Sequence, residues 1–594
     1  MGSDESTGDV HVDDPTGDGP SEPLCRLTNE RREAVAALAA HSRRREMATG
    51  TGLIQRHAAR LLVSRNSRAW SRAWSRARRA GTTTTSATMS RDPGPRRARV
   101  AVVGGGAAGL AAARELRAEG HTPVVFERGN DAGGVWVYDP RVEVDDVTGT
   151  DPNRARVHGS MYASLRTNLP RECMGYESFP FTKTFAGDDR RFCGHGEVRA
   201  YLAAYADHHD IAKDVRLRRE VLSAEPIVDD WRAEDDAKAA SNHQSEKDSG
   251  DETWGPRWRV TTRSTGDDDD DDDDANVSVE TFDAVVVCNG HYSEPRTPSY
   301  ANAKRWPGLQ MHSHNYRTPD ATFKGKKVVV LGAMASGEDL TREIATVASD
   351  VVLAARGFVP GAPKNDFPVA SYPKNATLKP GIVELIPERS GVRFEDGSVE
   401  EDVDVILYAT GYQYAFPFLS DAVSDGYLSA VDNCVSPLYK HVFPPALAPS
   451  LSFIGLPWKV VPFPQFETQA RWIAKALSGA APLPPRREML DDADAFERSL
   501  ASNGIARRHA HRMGDAQFAY NDELRELCGQ PPAGTWRAEM YAATGARKRS
   551  QPASYRDGPI PWSDEAARAD ARAEADAAGF GTDPARDEVE VKAA

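Results

Sequence analysis

Residues 99–103 read RVAVV, and residues 104–120 continue GGGAAGLAAARELRAEG. The first run is short, apolar and β-branched, as a buried strand requires. In the second, Gly104, Gly106 and Gly109 fall in the order G-x-G-x-x-G, and the Ala- and Leu-rich residues after them predict a helix ending at Gly120. TPVVFE then supplies a second strand that closes on Glu127, 23 residues after Gly104. Each glycine has a separate task. Gly104 permits the tight turn, Gly106 lets backbone approach a pyrophosphate, and Gly109 lets helix and strand pack closely, while the helix N-terminus faces the phosphates. Glu127 is placed to accept hydrogen bonds from ribose hydroxyls and would repel a 2′-phosphate, so this site suits FAD or NAD rather than NADP.

The pattern recurs. Lys327–Leu331 (KVVVL) is a strand, GAMASGEDLTREIA from Gly332 turns into a helix, and VVLAAR ends on Arg356, 24 residues after Gly332. Gly332, Ser336 and Gly337 line the expected phosphate turn. Two differences stand out: Met334 occupies the middle-glycine position, and the terminal acid has become Arg356, whose guanidinium can pair with a 2′-phosphate. An acidic first site and a basic second one predict an FAD protein reduced by NADPH. The expected fold class is α/β, with two Rossmann-like domains. A larger, discontinuous FAD domain takes residues 98–318 and 403–546, and a smaller NADPH domain is inserted at 319–402. A disulfide reductase on this plan needs a redox cysteine pair. The six cysteines (Cys25, Cys173, Cys193, Cys288, Cys434, Cys528) contain no CxxC, which leaves dioxygen as the natural acceptor and fits a reducing compartment.

Outside these units the 594-residue chain carries segments that do not read as folded. The net charge of −14 includes the eight aspartates Asp267–Asp274; without them it is −6, which argues against a nucleic-acid binder. Residues 229–252 are also acidic and poor in apolar groups, so disordered insertions are expected near 229–252 and 264–276, with Trp258–Val260 as a strand between them. Residues 1–97 read as a disordered or targeting segment. Met47 to Arg91 holds nine arginines and no acid, the composition of an organelle transit peptide, so a start at Met47 would send the protein to a plastid or mitochondrion; otherwise a cytoplasmic location is expected. Residues 547–594 read as an acidic, Ala-rich tail, frayed or disordered. No stretch approaches the length of a membrane span, and no cysteine or histidine spacing suggests a metal site.

WPGLQMHSHNY (Trp306–Tyr316) matches F-x-G-x-x-x-H-x-x-x-[FY] with Trp306 for Phe. With GGVW (Gly133–Trp136), YASLRTNLPRECMGYESFPF from Tyr162, VVVCNGHYSEP from Val285, ATGY from Ala409 and PFPQFETQARWIA from Pro462, the chain resembles the flavin-containing monooxygenases over about residues 98–545, and most closely their plant S-oxygenating, glucosinolate S-oxygenase-like branch. The resemblance implies FAD, NADPH and dioxygen, a flavin C4a-hydroperoxide held ready for substrate, and a soft sulfur or nitrogen nucleophile, so a small thioether or amine is the expected partner. A homodimer is compatible with it. It also implies that Asn168 is the active-site asparagine, that Gly134, Trp136 and, more weakly, Gln469 contact FAD, and that His312 fixes the interdomain linker rather than moving a proton. Tyr316–Arg317 stands where Baeyer–Villiger relatives have a different pair. A Baeyer–Villiger or indole-pyruvate-type oxygenase on the same scaffold, and an idle flavin scaffold or NADPH oxidase, remain alternatives.

Overall fold

The computed structural model describes residues 96–227, 255–265, 276–356, 358, 372–424, 426–558 and 562–577. All belong to the second of the chain's two compact units, residues 87–594. The segments expected to be disordered or targeting, 1–95, 229–252 and the Asp267–Asp274 run, lie outside the described residues.

The strand Arg99–Val103 sits near the middle of a five-stranded parallel sheet. Its neighbours are Thr122–Phe126, which leads to Val215–Arg216 at one edge, and Ala284–Val287, which leads to Leu451–Phe453 at the other. The central strands are buried on both faces, hence their near-continuous Val and Ala. Helix Ala107–Ala118 covers one face, turning Leu110, Ala111, Ala113 and Leu116 inward against helix Pro462–Ser478. Small alanines on this helix allow the close packing.

A second parallel sheet has the order 376–379, 350–354, 327–331, 405–408, 309–312. Two of its five strands, Leu309–His312 and Val405–Tyr408, lie outside the expected span of 319–402. The motif strand and the strand before ATGY are therefore part of the second nucleotide fold, so the expected boundaries are too narrow at both ends. Strand pairing across about a hundred residues overrides the local motif spacing on which the boundaries rested.

A three-stranded antiparallel sheet, Arg219–Pro226, Trp258–Ser264 and Val277–Phe282, leans on the first sheet through Trp258 and Phe282. The predicted strand at Trp258 is its middle member, and the two acidic insertions fall in its two connections. The tail differs from expectation. Helix Trp536–Ser550 runs through the supposed boundary at 547, residues 551–558 fold back on the body, and helix Asp564–Ala577 buries Ala567, Ala571 and Ala575. Alanines four apart make one helix face, and that face packs on the first domain's core. The Arg537–Glu574 ion pair (2.8 Å), largely buried, anchors it. Residues 578–594 are outside the described range.

Candidate functional site

The first glycine turn is closed to side chains at Gly104 and Gly109. Gly104 has φ +105°, and a Cβ there would lie 2.6 Å from the Cys288 carbonyl oxygen. A Cβ on Gly109 would lie 1.9 Å from the Gly104 oxygen. Gly106 caps helix Ala107–Ala118 with extended backbone and no side-chain cap, and the helix's first turn has no acid, so its amide end stays electropositive. Gly133 and Gly134 lie directly against this turn. The Gly133 N–H donates to the Gly105 carbonyl at 2.9 Å, and a Cβ on Gly134 would come 2.8 Å from the Gly106 Cα. Two glycine segments stacked backbone to backbone leave a groove floored by peptide groups, which fits a pyrophosphate.

Glu127 is buried. Its Oε2 accepts the Gly105 N–H at 2.8 Å and its Oε1 accepts the Gly129 N–H at 2.7 Å. A carboxylate has about four acceptor positions, so it can fasten the turn and still receive ribose hydroxyls. Trp136 sits in the short turn after Gly134 and meets Phe463 edge to face at 6.3 Å. Gln469 is fully buried on helix Pro462–Ser478, and its amide is spoken for: Oε1 accepts the Gly455 N–H at 3.0 Å and Nε2 donates to the Tyr520 hydroxyl at 2.8 Å. Gly455 follows strand Leu451–Phe453 with φ +86°, so Gln469 holds a loop at the carboxyl end of the first sheet.

The second turn repeats the construction. Gly332 has φ +114°, a Cβ on it would lie 2.3 Å from the Ala409 oxygen, and one on Gly337 would lie 1.7 Å from the Gly332 oxygen. Met334 caps helix Ala335–Ile344 with φ −83° and ψ −177°, matching φ −77° and ψ −174° at Gly106. That backbone suits any residue, so Met334 costs no strain, and its side chain is 58% exposed at the mouth of the turn beside the exposed Ser336. Arg356, two residues past strand Asp350–Ala354, is also exposed and runs its stem past Gly381.

The carboxyl ends of the two sheets meet. The strands leaving Cys288 and Ala409, whose carbonyls roof the two glycine turns, pair through the ribbon Glu294–Pro295 and Tyr412–Gln413, and the Arg296 N–H donates to the Gly411 carbonyl at 2.9 Å. Ligands of open α/β sheets bind outside the carboxyl ends of the strands. Both sites therefore open toward one junction.

Asn168 lies on the stretch of chain between the two domains' cores. Leu165 packs with the core of the second domain and Leu169 belongs to the core of the first. Between them Thr167 pairs with Cys193 (N–H to carbonyl, 2.9 Å), and Asn168 is exposed. The motif residues brace the seam. Trp306 fills the space that Gly308 leaves and donates to the Gly391 carbonyl at 3.1 Å, which is why a larger aromatic is accommodated there. His312 is fully buried. Its Nδ1 accepts the His314 N–H at 3.1 Å, its ring meets Tyr412 edge to face, and burial, with His314 adding to it, pushes its pKa down to about 3. A neutral imidazole locked in this way is a strut. Arg317 is the one motif neighbour whose importance the sequence hides: its guanidinium donates to the carbonyls of Asp139, Arg141, Gly159, His314 and Tyr316 at 2.6–3.0 Å and ties three backbone segments together. Nothing local in the sequence marks it, since all five acceptors are main-chain.

Two dinucleotide-type folds in one chain, the first closing on a buried acid, are the plan of a flavin-dependent oxidoreductase. The description "Flavin-binding monooxygenase-like" matches residues 97–359 and 364–537, and the chain belongs to that family. It is 44% identical to flavin-containing monooxygenase FMO GS-OX-like 2 of Arabidopsis thaliana, over 81% of this chain and 94% of the relative, and 42% identical to FMO GS-OX5 of the same plant, over 78% and 92%. Among solved structures it is similar to the S-allyl-L-cysteine S-oxygenase from Allium sativum, with a TM-score of 0.69 and 41% identity over 81% of this chain and 99% of that one. No helix among the described residues is long and apolar enough to cross a membrane.

Proposed function

We propose that the protein is an FAD-containing, NADPH- and dioxygen-dependent S-oxygenase of small thioethers: NADPH + H⁺ + O₂ + R–S–R′ gives NADP⁺ + H₂O + R–S(=O)–R′. The observation that carries this reading is the exposed Asn168 on the stretch of chain that passes from one nucleotide fold's core to the other's. The likeness to an S-oxygenase along almost its whole length supports sulfur as the acceptor. When bound, the flavin supplies hydride acceptance and oxygen activation, which no side chain can. The chain supplies the rest. Gly104, Gly106, Gly109 and Gly134 admit the FAD pyrophosphate, Glu127 takes its ribose, and Trp136 and Gln469 shape the surroundings, Gln469 through the Gly455 loop. Gly332, Ser336 and Gly337 form the NADPH phosphate turn and Arg356 takes the 2′-phosphate. The Asn168 amide would donate or accept at the reacting centre.

The reading is tested by supplying NADPH, ¹⁸O₂ and S-allyl-L-cysteine to the purified protein. One labelled sulfoxide per NADPH is expected; NADPH consumption that yields only peroxide would refute it. Asn168→Asp is expected to keep its flavin and lose roughly 100-fold or more in sulfoxide formation, the scale of one hydrogen-bond donor at a reacting centre. Arg356→Ala is expected to lower the preference for NADPH over NADH by about 1.5–3 kcal/mol, the worth of a charged hydrogen bond. Competing the two coenzymes in one assay reads that ratio directly, and an unchanged ratio would remove Arg356 from the phosphate site.

A further inference from the structure

The segment 547–558, outside the reach of both nucleotide motifs, fastens the second domain's helix to the loop that carries Asn168. Asp339 is the fifth residue of helix Ala335–Ile344, one turn below its phosphate-facing end. Arg556 donates to both of its oxygens, Nη1 to Oδ1 at 3.0 Å and Nη2 to Oδ2 at 2.6 Å. The Tyr162 hydroxyl donates to Oδ2 at 3.0 Å. The third guanidinium nitrogen of Arg556, Nε, donates to the Thr167 carbonyl at 3.0 Å, in the peptide that joins Thr167 to Asn168. Beside it Arg166 pairs with Asp557 at 2.7 Å, and Lys548 pairs with Glu338 at 3.1 Å. Tyr555 is fully buried; the Arg556 guanidinium lies over its ring at 4.8 Å, and Phe192 meets it edge to face. Arg556 thus has a rigid base and a fixed direction. Its side chain and that of Asp339 are each only 16% exposed, so the pair is little screened by solvent.

The geometry points to Arg556 and Asp339 as positioning residues: together they form a clasp that holds the coenzyme helix at a set distance from the Asn168 loop. This rests on the proposed roles of that helix and of Asn168. One guanidinium bonds the helix with two nitrogens and the peptide before Asn168 with the third, so the helix cannot move without moving the loop. With the clasp closed, NADP⁺ on the helix and the Asn168 amide keep one spacing, and reducing equivalents from NADPH go to sulfoxide and water. With it open, hydride transfer still occurs but the site is held loosely. Oxygen then leaves as peroxide: NADPH + H⁺ + O₂ gives NADP⁺ + H₂O₂.

The test compares holoenzymes of the parent, Arg556→Met and Asp339→Asn, with methyl p-tolyl sulfide as the probe. Sulfoxide, peroxide and NADPH are measured together. Asp339→Asn keeps the shape of the side chain, which guards against a mere folding defect, and flavin content and anaerobic reduction by NADPH are measured for each protein. The single variants are expected to reduce at the parental rate while sulfoxide per NADPH falls by about fivefold, the low end of coupling between linked sites. Peroxide should make up the difference. Unchanged coupling in both single variants would overturn the clasp. So would a loss of reduction rate matched by the loss of sulfoxide, since that is the signature of a structural defect. A parent that makes no sulfoxide from any thioether would instead overturn the proposed function.

Discussion

Replacing Gly109 by alanine is expected to give a protein that no longer retains flavin. The new Cβ would stand 1.9 Å from the Gly104 carbonyl oxygen, less than the separation of any two unbonded heavy atoms, so the turn and the helix must part by more than an ångström. Neither is free to move. A Cβ on Gly104 would itself lie 2.6 Å from the Cys288 carbonyl oxygen, so the turn has no room on that side, and helix Ala107–Ala118 is wedged between its strand and helix Pro462–Ser478. Overpacking of this kind costs about 1–3 kcal/mol, and here the displaced atoms are the ones proposed to hold the pyrophosphate. Gly106→Ala makes the useful contrast. Its Cβ would meet only the Gly134 Cα at 3.4 Å, and Met334 carries a side chain on the same backbone geometry in the second turn. That variant should fold as well as the parent and still lose flavin, because its methyl group occupies ligand space. Gly337→Ala, with 1.7 Å to the Gly332 oxygen, should keep flavin and lose NADPH reduction. Flavin-to-protein absorbance ratios and thermal midpoints separate the three. A Gly109→Ala protein with full flavin and a parental midpoint would show that the turn is not the site.

The contrast among these glycines marks what the sequence can display. The strand, turn, helix and closing acid are local, each fixed by a dozen neighbouring residues, and they are found where the pattern puts them. What roofs each turn is not local. Cys288 lies 184 residues from Gly104, and Ala409 lies 77 residues from Gly332, on strands that no glycine spacing announces. The same cause blurs the second domain's edges. Leu309–His312 and Val405–Tyr408 join its sheet by pairing at long range, so a boundary drawn around the fingerprint alone leaves them out. The tail is the sharpest case. Composition reads Ala, Asp, Glu and Arg as a chain too polar to pack, yet the three alanines of helix Asp564–Ala577 share one face, and Arg537, Arg556 and Asp557 find their acidic or basic partners 37 to 391 residues away. Polarity counts side chains one at a time, whereas burial depends on which of them meet. Of the proposed site, Asn168 is marked in the sequence only by its motif; its exposure between two cores, and the arginines that fix its neighbours, belong to tertiary contacts alone.

Arg471→Met is expected to destabilise the folded protein by about 3–5 kcal/mol, the cost of leaving buried charges without their partner. Arg471 is 5% exposed at the centre of the packing between helices Ala107–Ala118, Pro462–Ser478 and Ala516–Leu527. Its guanidinium donates to both oxygens of Glu115 at 3.3 and 3.0 Å and to the Gln530 amide oxygen at 2.6 Å, and lies 3.6 Å from Glu177. Arg114 and Arg525 pair with Glu115 and Glu177, so the loss is not total. Glu467 makes the effect depend on pH. It is fully buried, takes the Glu177 N–H at 2.8 Å, and burial pushes its pKa up from the ordinary 4.5 to about 7, with Arg471 the strongest influence holding it down. A carboxyl whose folded pKa exceeds its unfolded one binds more protons when folded, so stability falls as pH rises from about 4.5 toward 7 and above. Without Arg471 the folded pKa rises further and the loss of stability continues to higher pH. Denaturant titrations at pH 5.5 and pH 8 should therefore show a larger gap between variant and parent at pH 8. Adding Glu467→Gln, which removes the charge and keeps the side chain's shape, should close most of the difference between the two pH values. A gap independent of pH would mean that Arg471 acts by packing its aliphatic stem and not by neutralising the carboxylates around it.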